Sequence, residues 1–200
     1  MELESYDVMN NVIKYLSSFL QRIAESNDVF GVPLKTSIFH GLTRPSISIL
    51  CYMERIYKYA NCSPSCIVVA YIYIDRFVRK QPLLPISSFT VHRLLIASVL
   101  VSAKFMDDMF YNNAYYAKVG GISTAEMNLL EMDFLFGLGF HLNVSPSTFQ
   151  TYCSFPKRNA TALSSAQSTT FCPNSCSTRN TPFLHQRGWI HTSPAACSLA

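Results

Sequence analysis

Apolar residues recur along most of this chain at helical rather than strand spacing. Between residues 5 and 25, Val8, Val12, Leu16, Phe19 and Ile23 step by three and four, one stripe on an amphipathic helix. The segment "SNDVFGVPLKTSIFHGLTRP" (26–45) carries two glycines and two prolines and reads as a connection. In "PSISILCYMERIYKYA" (45–60), Ile49, Leu50, Met53, Ile56, Tyr57 and Ala60 restore the helical step and predict a core-facing helix. The next stretch, "SPSCIVVAYIYIDRFVRK" (63–80), is contested. Its β-branched run of Ile67, Val68, Val69, Ile72 and Ile74 favours a strand on propensity alone. Its length and its Ser63-Pro64 start, with serine able to cap and proline suited to the first helical position, favour a helix over 64–80. A helix apolar nearly all round is a buried one, with Asp75, Arg76, Arg79 and Lys80 emerging at its end.

A second nearly all-apolar helix is predicted from 90 to about 105 in "SSFTVHRLLIASVLVSAKFMDD", with Thr90 as its cap. "YNNAYYAKVGG" gives a short helix from Asn112 that Gly120 and Gly121 stop. In "GISTAEMNLLEMDFLFGLGF", Ser123 and Glu126 form the Ser-x-x-Glu capping box of a helix running to about Leu138. "VSPSTFQTYC" opens one more after Pro146. Beyond Phe155 the chain is rich in Ser, Thr and Pro and follows neither period, so 156–200 is expected to be an irregular, unpacked tail. The expected fold is all-α: an N-terminal helix and linker (1–34), a helical domain (35–155) and that tail.

Composition supports a folded chain, with 49% hydrophobic and 14% charged residues. The longest apolar runs fall short of the ~20 residues of a spanning helix, and "MELESYDVMN" has acids where a secretory signal has bases. The expectation is an intracellular protein of nucleus or cytoplasm, its seven scattered cysteines reduced. The net charge of +4 comes from Lys157, Arg158, Arg179 and Arg187 in a tail without acids, leaving twelve bases against twelve acids before it. A neutral body does not predict a nucleic-acid surface.

Charges in apolar positions are the candidates for chemistry. Met127, Leu130, Phe134, Leu135 and Leu138 share one helix face, and Glu131 falls inside that arc. Lys104 follows Arg93, Ala97 and Leu100 on a mostly apolar stripe, near the helix end where its charge suits the dipole. Two readings are open: the two charges pair with each other or with water, or both point at another protein.

In order and spacing, "SPSCIVVAYIYIDRF", "HRLLIASVLVSAKFMDD", "NNAYYAKVGG" and "EMDFLFGLGF" resemble the cyclin box. With "FHGLTRPSISILCYMERIYKY" ahead of them, the chain is similar to the plant P-type (U-type) cyclins, relatives of the phosphate-signalling cyclins of yeast. The resemblance covers roughly 35–153. It implies a single cyclin box of five helices that binds and activates a cyclin-dependent protein kinase. It implies that Lys104 and Glu131 contact the kinase, and that Asp75 forms an internal salt bridge with an arginine at the start of the first box helix, Arg44 and Arg55 both being open. It implies no cofactor, no metal, and no nucleic-acid, membrane or small-molecule partner. The Met-Arg-x-x-Leu-x-x-Trp docking patch of conventional cyclins is missing, with "SISILCYMERIYKY" in its place and no tryptophan before Trp189. Past "TYCSF" the chain also leaves the family pattern, which keeps an inactive truncated isoform as an alternative.

Other classes are disfavoured. A cyclin-fold transcription-factor or nucleic-acid module needs a basic face. An enzyme needs an acid–base or nucleophile constellation, and none accompanies His40, His92 or His141. Cys62 and Cys66 with Cys172 and Cys176 make two C-x-x-x-C pairs, but one brackets a helix start and the other lies in the tail, so they read as ordinary thiols rather than a zinc site.

Overall fold

The computed structural model describes residues 2–29 and 37–154, with side chains from 9 onward. In chain order the helices are α1 (Glu2–Asp28), α2 (Ile49–Tyr59), α3 (Pro64–Lys80), α4 (Val91–Met106), α5 (Asn113–Gly120) and α6 (Thr124–Leu138). A further helical segment, α7, covers 146–154, and no strand occurs among the described residues. The tail expected over 156–200, with Cys172, Cys176 and Trp189, lies outside the described residues.

Helix α4 is the hub, packed against α2, α3, α5 and α6, while α1 lies along α2. That placement explains its sequence. Every residue from Leu94 to Ala103 is buried, and the hydroxyls of Ser98 and Ser102 donate to the carbonyls of Leu95 (2.8 Å) and Val99 (3.0 Å), so neither enters the core unsatisfied. In α3 the whole run from Cys66 to Asp75 is buried. Burial on all sides overrides the strand preference of its β-branched residues.

The helix starts follow from short polar side chains. Ser48, Asn112 and Ser123 accept from the backbone N–H groups of Cys51 (3.1 Å), Tyr115 (3.0 Å) and Glu126 (3.1 Å). Two expected caps work differently. Ser63 occupies the cap of α3, but its hydroxyl donates to Cys66 Sγ at 3.4 Å. Thr90 precedes α4, yet its hydroxyl turns back to the carbonyl of Pro85 and accepts from the N–H of Ser87 at 2.8 Å. The stripe on α1 is also displaced by one position. Met9, Ile13, Leu16, Leu20 and Ala24 are buried, whereas Val12, Phe19 and Ile23 flank them.

Glycines set two features of α6. At Gly139 the backbone turns left-handed (φ 60°) and ends the helix. At Gly137, a Cβ would stand 2.2 Å from Cε2 of Phe77, whose ring stacks on Phe134 with centroids 4.9 Å apart. The missing side chain therefore lets α3 approach α6 through an aromatic contact.

Candidate functional site

Three helices converge on one carboxylate. Lys104 stands in the last turn of α4 and Glu131 in the middle of α6, and Lys104 Nζ lies 2.7 Å from Glu131 Oε1. The first residue of α5, Asn113, donates through Nδ2 to Glu131 Oε2 at 2.7 Å and to Asn128 Oδ1 at 2.8 Å. The structure thus brings the two candidate charges together. Their side chains remain 29% and 17% exposed, so water still reaches the pair and its worth to folding stays small.

The surroundings of this pair were not anticipated in full. Immediately beyond Lys104, Phe105 and Met106 are exposed, followed by Met109, Phe110 and Tyr111 in the connection to α5. On α6, Leu129, Met132 and Phe136 point outward, each half or more exposed, while Met127, Leu130, Phe134 and Leu138 fill the core. Phe140 meets Phe136 edge-on, with centroids 5.3 Å apart. Helix α6 is therefore apolar on two sides and charged between them. The sequence signal for the outer side was the set of apolar residues left over after the core stripe is drawn.

Asp75 has a different setting. It is fully buried on α3, paired with Arg79 one turn on at 2.8 Å, and accepts the hydroxyl of Tyr152 at 2.5 Å. Burial, reinforced by the charge of Asp75, pushes the Tyr152 phenol far above its usual range, so it stays a donor. The internal salt bridge exists, but with a partner other than the two arginines considered. Arg44 binds Asp28 at 2.8 Å and the hydroxyl of Ser88, and Arg55 reaches the carbonyl of Lys118 at 3.1 Å. Arg79 fits because i and i+4 share a helix face.

Residues 10–142 of the chain match the cyclin family model. The chain belongs to the cyclin family. It is similar to Cyclin-U4-1 of Arabidopsis thaliana, 63% identical over 166 residues that cover 81% of this chain and 82% of that protein. Similarity to Cyclin-P4-1 of Oryza sativa subsp. japonica is 54% over 167 residues, 80% of this chain and 79% of that one. Both are plant cyclins of the U and P types, the branch that the sequence motifs indicated. The matched residues begin inside α1 and run through α2 to α6.

In this cyclin the outer face of α2 is mostly polar, with Cys51, Glu54, Arg55 and Lys58 exposed beside Tyr59, while Tyr52 and Met53 turn into the core. The thiols at the start of α3 are held protonated. Burial pushes Cys62 up to about 11 and Cys66 up to about 12, with the charge of Asp107 adding to both. Burial disfavours the Asp107 carboxylate in turn, but hydrogen bonds from the N–H of Ser63 (3.0 Å) and Cys66 Sγ (3.1 Å) outweigh it and hold Asp107 below its ordinary value. Neither thiol has the character of a nucleophile. Among the described residues no three His, Cys, Asp or Glu side chains are grouped to hold a metal, and no helix is long and apolar enough to cross a membrane.

Proposed function

We propose that this cyclin binds and activates a cyclin-dependent protein kinase, as a regulatory subunit rather than an enzyme, through the face formed by the end of α4, the start of α5 and the outer side of α6. The observation that carries the reading is a partly exposed Lys104–Glu131 pair flanked by large exposed apolar side chains. Exposed aromatic and methionine side chains around a few fixed charges are the composition of a protein-docking surface. The charges supply register: each is held in place by its neighbour before the kinase arrives, and each keeps donor or acceptor capacity for the partner's backbone. The kinase-binding unit on this reading is 35–155, with α1 bracing α2, and its place of action is the nucleus, the cytoplasm or both.

A pull-down of a panel of cyclin-dependent kinases with the full chain tests the proposal. Retention of at least one kinase, lost on Met132→Asp with Phe136→Asp, is the expected result. Retention undiminished by those changes would contradict the assigned face.

A further inference from the structure

Two Ser-Pro dipeptides occur among the described residues, Ser63-Pro64 and Ser145-Pro146, and both open helices. Their surroundings differ in ways that matter for a phosphate. Ser63 is partly buried, its N–H is bonded to Asp107, and its hydroxyl is directed at Cys66. A phosphate there would sit beside a carboxylate. Ser145 is exposed, and its hydroxyl bonds only within its own first turn, to Ser147 Oγ (3.0 Å), Thr148 Oγ1 (2.8 Å) and the N–H of Thr148 (3.2 Å).

The backbone leading to Ser145 is hydrogen-bonded from one side by two residues of α3. Arg76 donates to the carbonyls of His141 and Asn143, both at 2.9 Å, and the hydroxyl of Tyr73 to that of Leu142 at 2.7 Å. Residues 141–145 form no helix or turn, and no acid follows Asp133 in the described chain. The result is a Ser-Pro presented at the surface on irregular backbone, two residues after a carbonyl that the Arg76 guanidinium holds, with no carboxylate in its own segment.

We propose that Ser145 is a phosphoacceptor for a proline-directed protein kinase, and that its phosphate fastens α7 against α3. In the transfer, Ser145 Oγ bonds to the γ-phosphorus of ATP as the bond to the β,γ-bridging oxygen breaks. ADP leaves, and the hydroxyl proton passes to the base of the kinase. The dianion then lies at the first turn of α7, beside the N–H of Thr148 and the helix dipole, and within reach of Arg76. Tyr152 already ties the far end of α7 to Asp75. The chain acts here as a substrate, and nothing in the inference uses the Lys104–Glu131 face, so it stands or falls apart from kinase activation.

The test is incubation of the full chain with ATP and a purified mitogen-activated protein kinase, followed by phosphosite mapping and amide hydrogen exchange. Phosphate is expected on Ser145, absent from Ser145→Ala, with Ser63 unmodified. Exchange at residues 148–152 should slow about two- to fivefold on phosphorylation. The slowing should be smaller in Arg76→Gln, which removes the charge and leaves only the contribution of the helix N-terminus. Phosphate on Ser63, or confined to the Thr181-Pro182 and Ser193-Pro194 dipeptides of the sequence with Ser145 unmodified, would overturn the assignment. Unchanged or faster exchange would overturn the fastening.

Discussion

Asp75 and Glu131 form ion pairs with nearly equal N–O separations, 2.8 and 2.7 Å, yet their surroundings give them opposite work. Asp75 is wholly buried and tied by Arg79 and Tyr152 to its own fold. Glu131 keeps a watered edge, draws its partners from two other helices, and is flanked by exposed Met132 and Phe136. Distance alone would rank the pairs as equals. Desolvation separates them: a charge already removed from water loses much when its partners go, while a solvated one loses little. On the proposed function, the first pair holds the molecule together and the second is left for the kinase.

Core truncations give the reference against which that contrast is read. Leu100 precedes Lys104 by one turn, Leu130 adjoins Glu131, and both are fully buried. Leu100→Ala or Leu130→Ala should cost about 2–5 kcal/mol in chemical denaturation, so kinase binding would fail together with the fold. A wild-type midpoint for both would break the helix assignment. Gly137→Ala should also destabilise, by about 1–3 kcal/mol, because its new methyl must displace the ring of Phe77.

At the Asp75 pair, Tyr152→Phe removes a hydrogen bond to a buried carboxylate and should cost about 1.5–3 kcal/mol. Hydrogen exchange should show α7 loosening first. A change below a few tenths of a kcal/mol would mean that α7 contributes little to the folded unit.

A smaller effect concerns His92, whose Nε2 lies 3.0 Å from the carbonyl of Ile47 while its ring packs edge-on to Tyr52. Burial, helped by the neighbouring Arg93 charge and opposed by that carbonyl, holds its pKa below the ordinary 6.5. The unfolded chain therefore binds this proton more readily than the folded one. Stability from His92 is full above 6.5 and is lost as pH falls through the lower folded value. The denaturation midpoint of the wild type should drop on going below pH 6.5 more than that of His92→Gln; parallel profiles would contradict the burial argument.

Much of the fold was legible because its strongest signals are local. Asn112 and Ser123 are short-range helix starts, and Gly121 terminates a helix through positive φ, all within a few residues of sequence. The misplaced features depend on tertiary neighbours. The stripe on α1 slipped by one: Met9, Ile13, Leu20 and Ala24 are buried against the core, while Val12, Phe19 and Ile23, equally apolar, pack at its edge. Glu126 completes only half of the capping box because Arg93, on a different helix, takes its carboxylate at 2.8 Å. Arg79 was in view as a charged helix end, but only the burial of Asp75 makes it the salt-bridge partner. For the site, Lys104 and Glu131 stood out as charges among apolar residues. Their mutual pairing was one of two open readings, and the outer stripe of α6 needed the structure to separate it from the core.

The most direct measurement of the central claim pairs thermal melting with kinase co-purification for Lys104→Ala and Glu131→Ala. Water reaches the pair, and in Lys104→Ala Asn113 still supports Glu131, so each variant should lose no more than about 1 kcal/mol of stability. At the kinase interface each truncation should cost about 2 kcal/mol or more, roughly thirtyfold in affinity, with activation lost in parallel. Variants that melt early in proportion to their loss of binding, or that still activate the kinase at wild-type strength, would contradict the account and leave the pair as a structural contact alone.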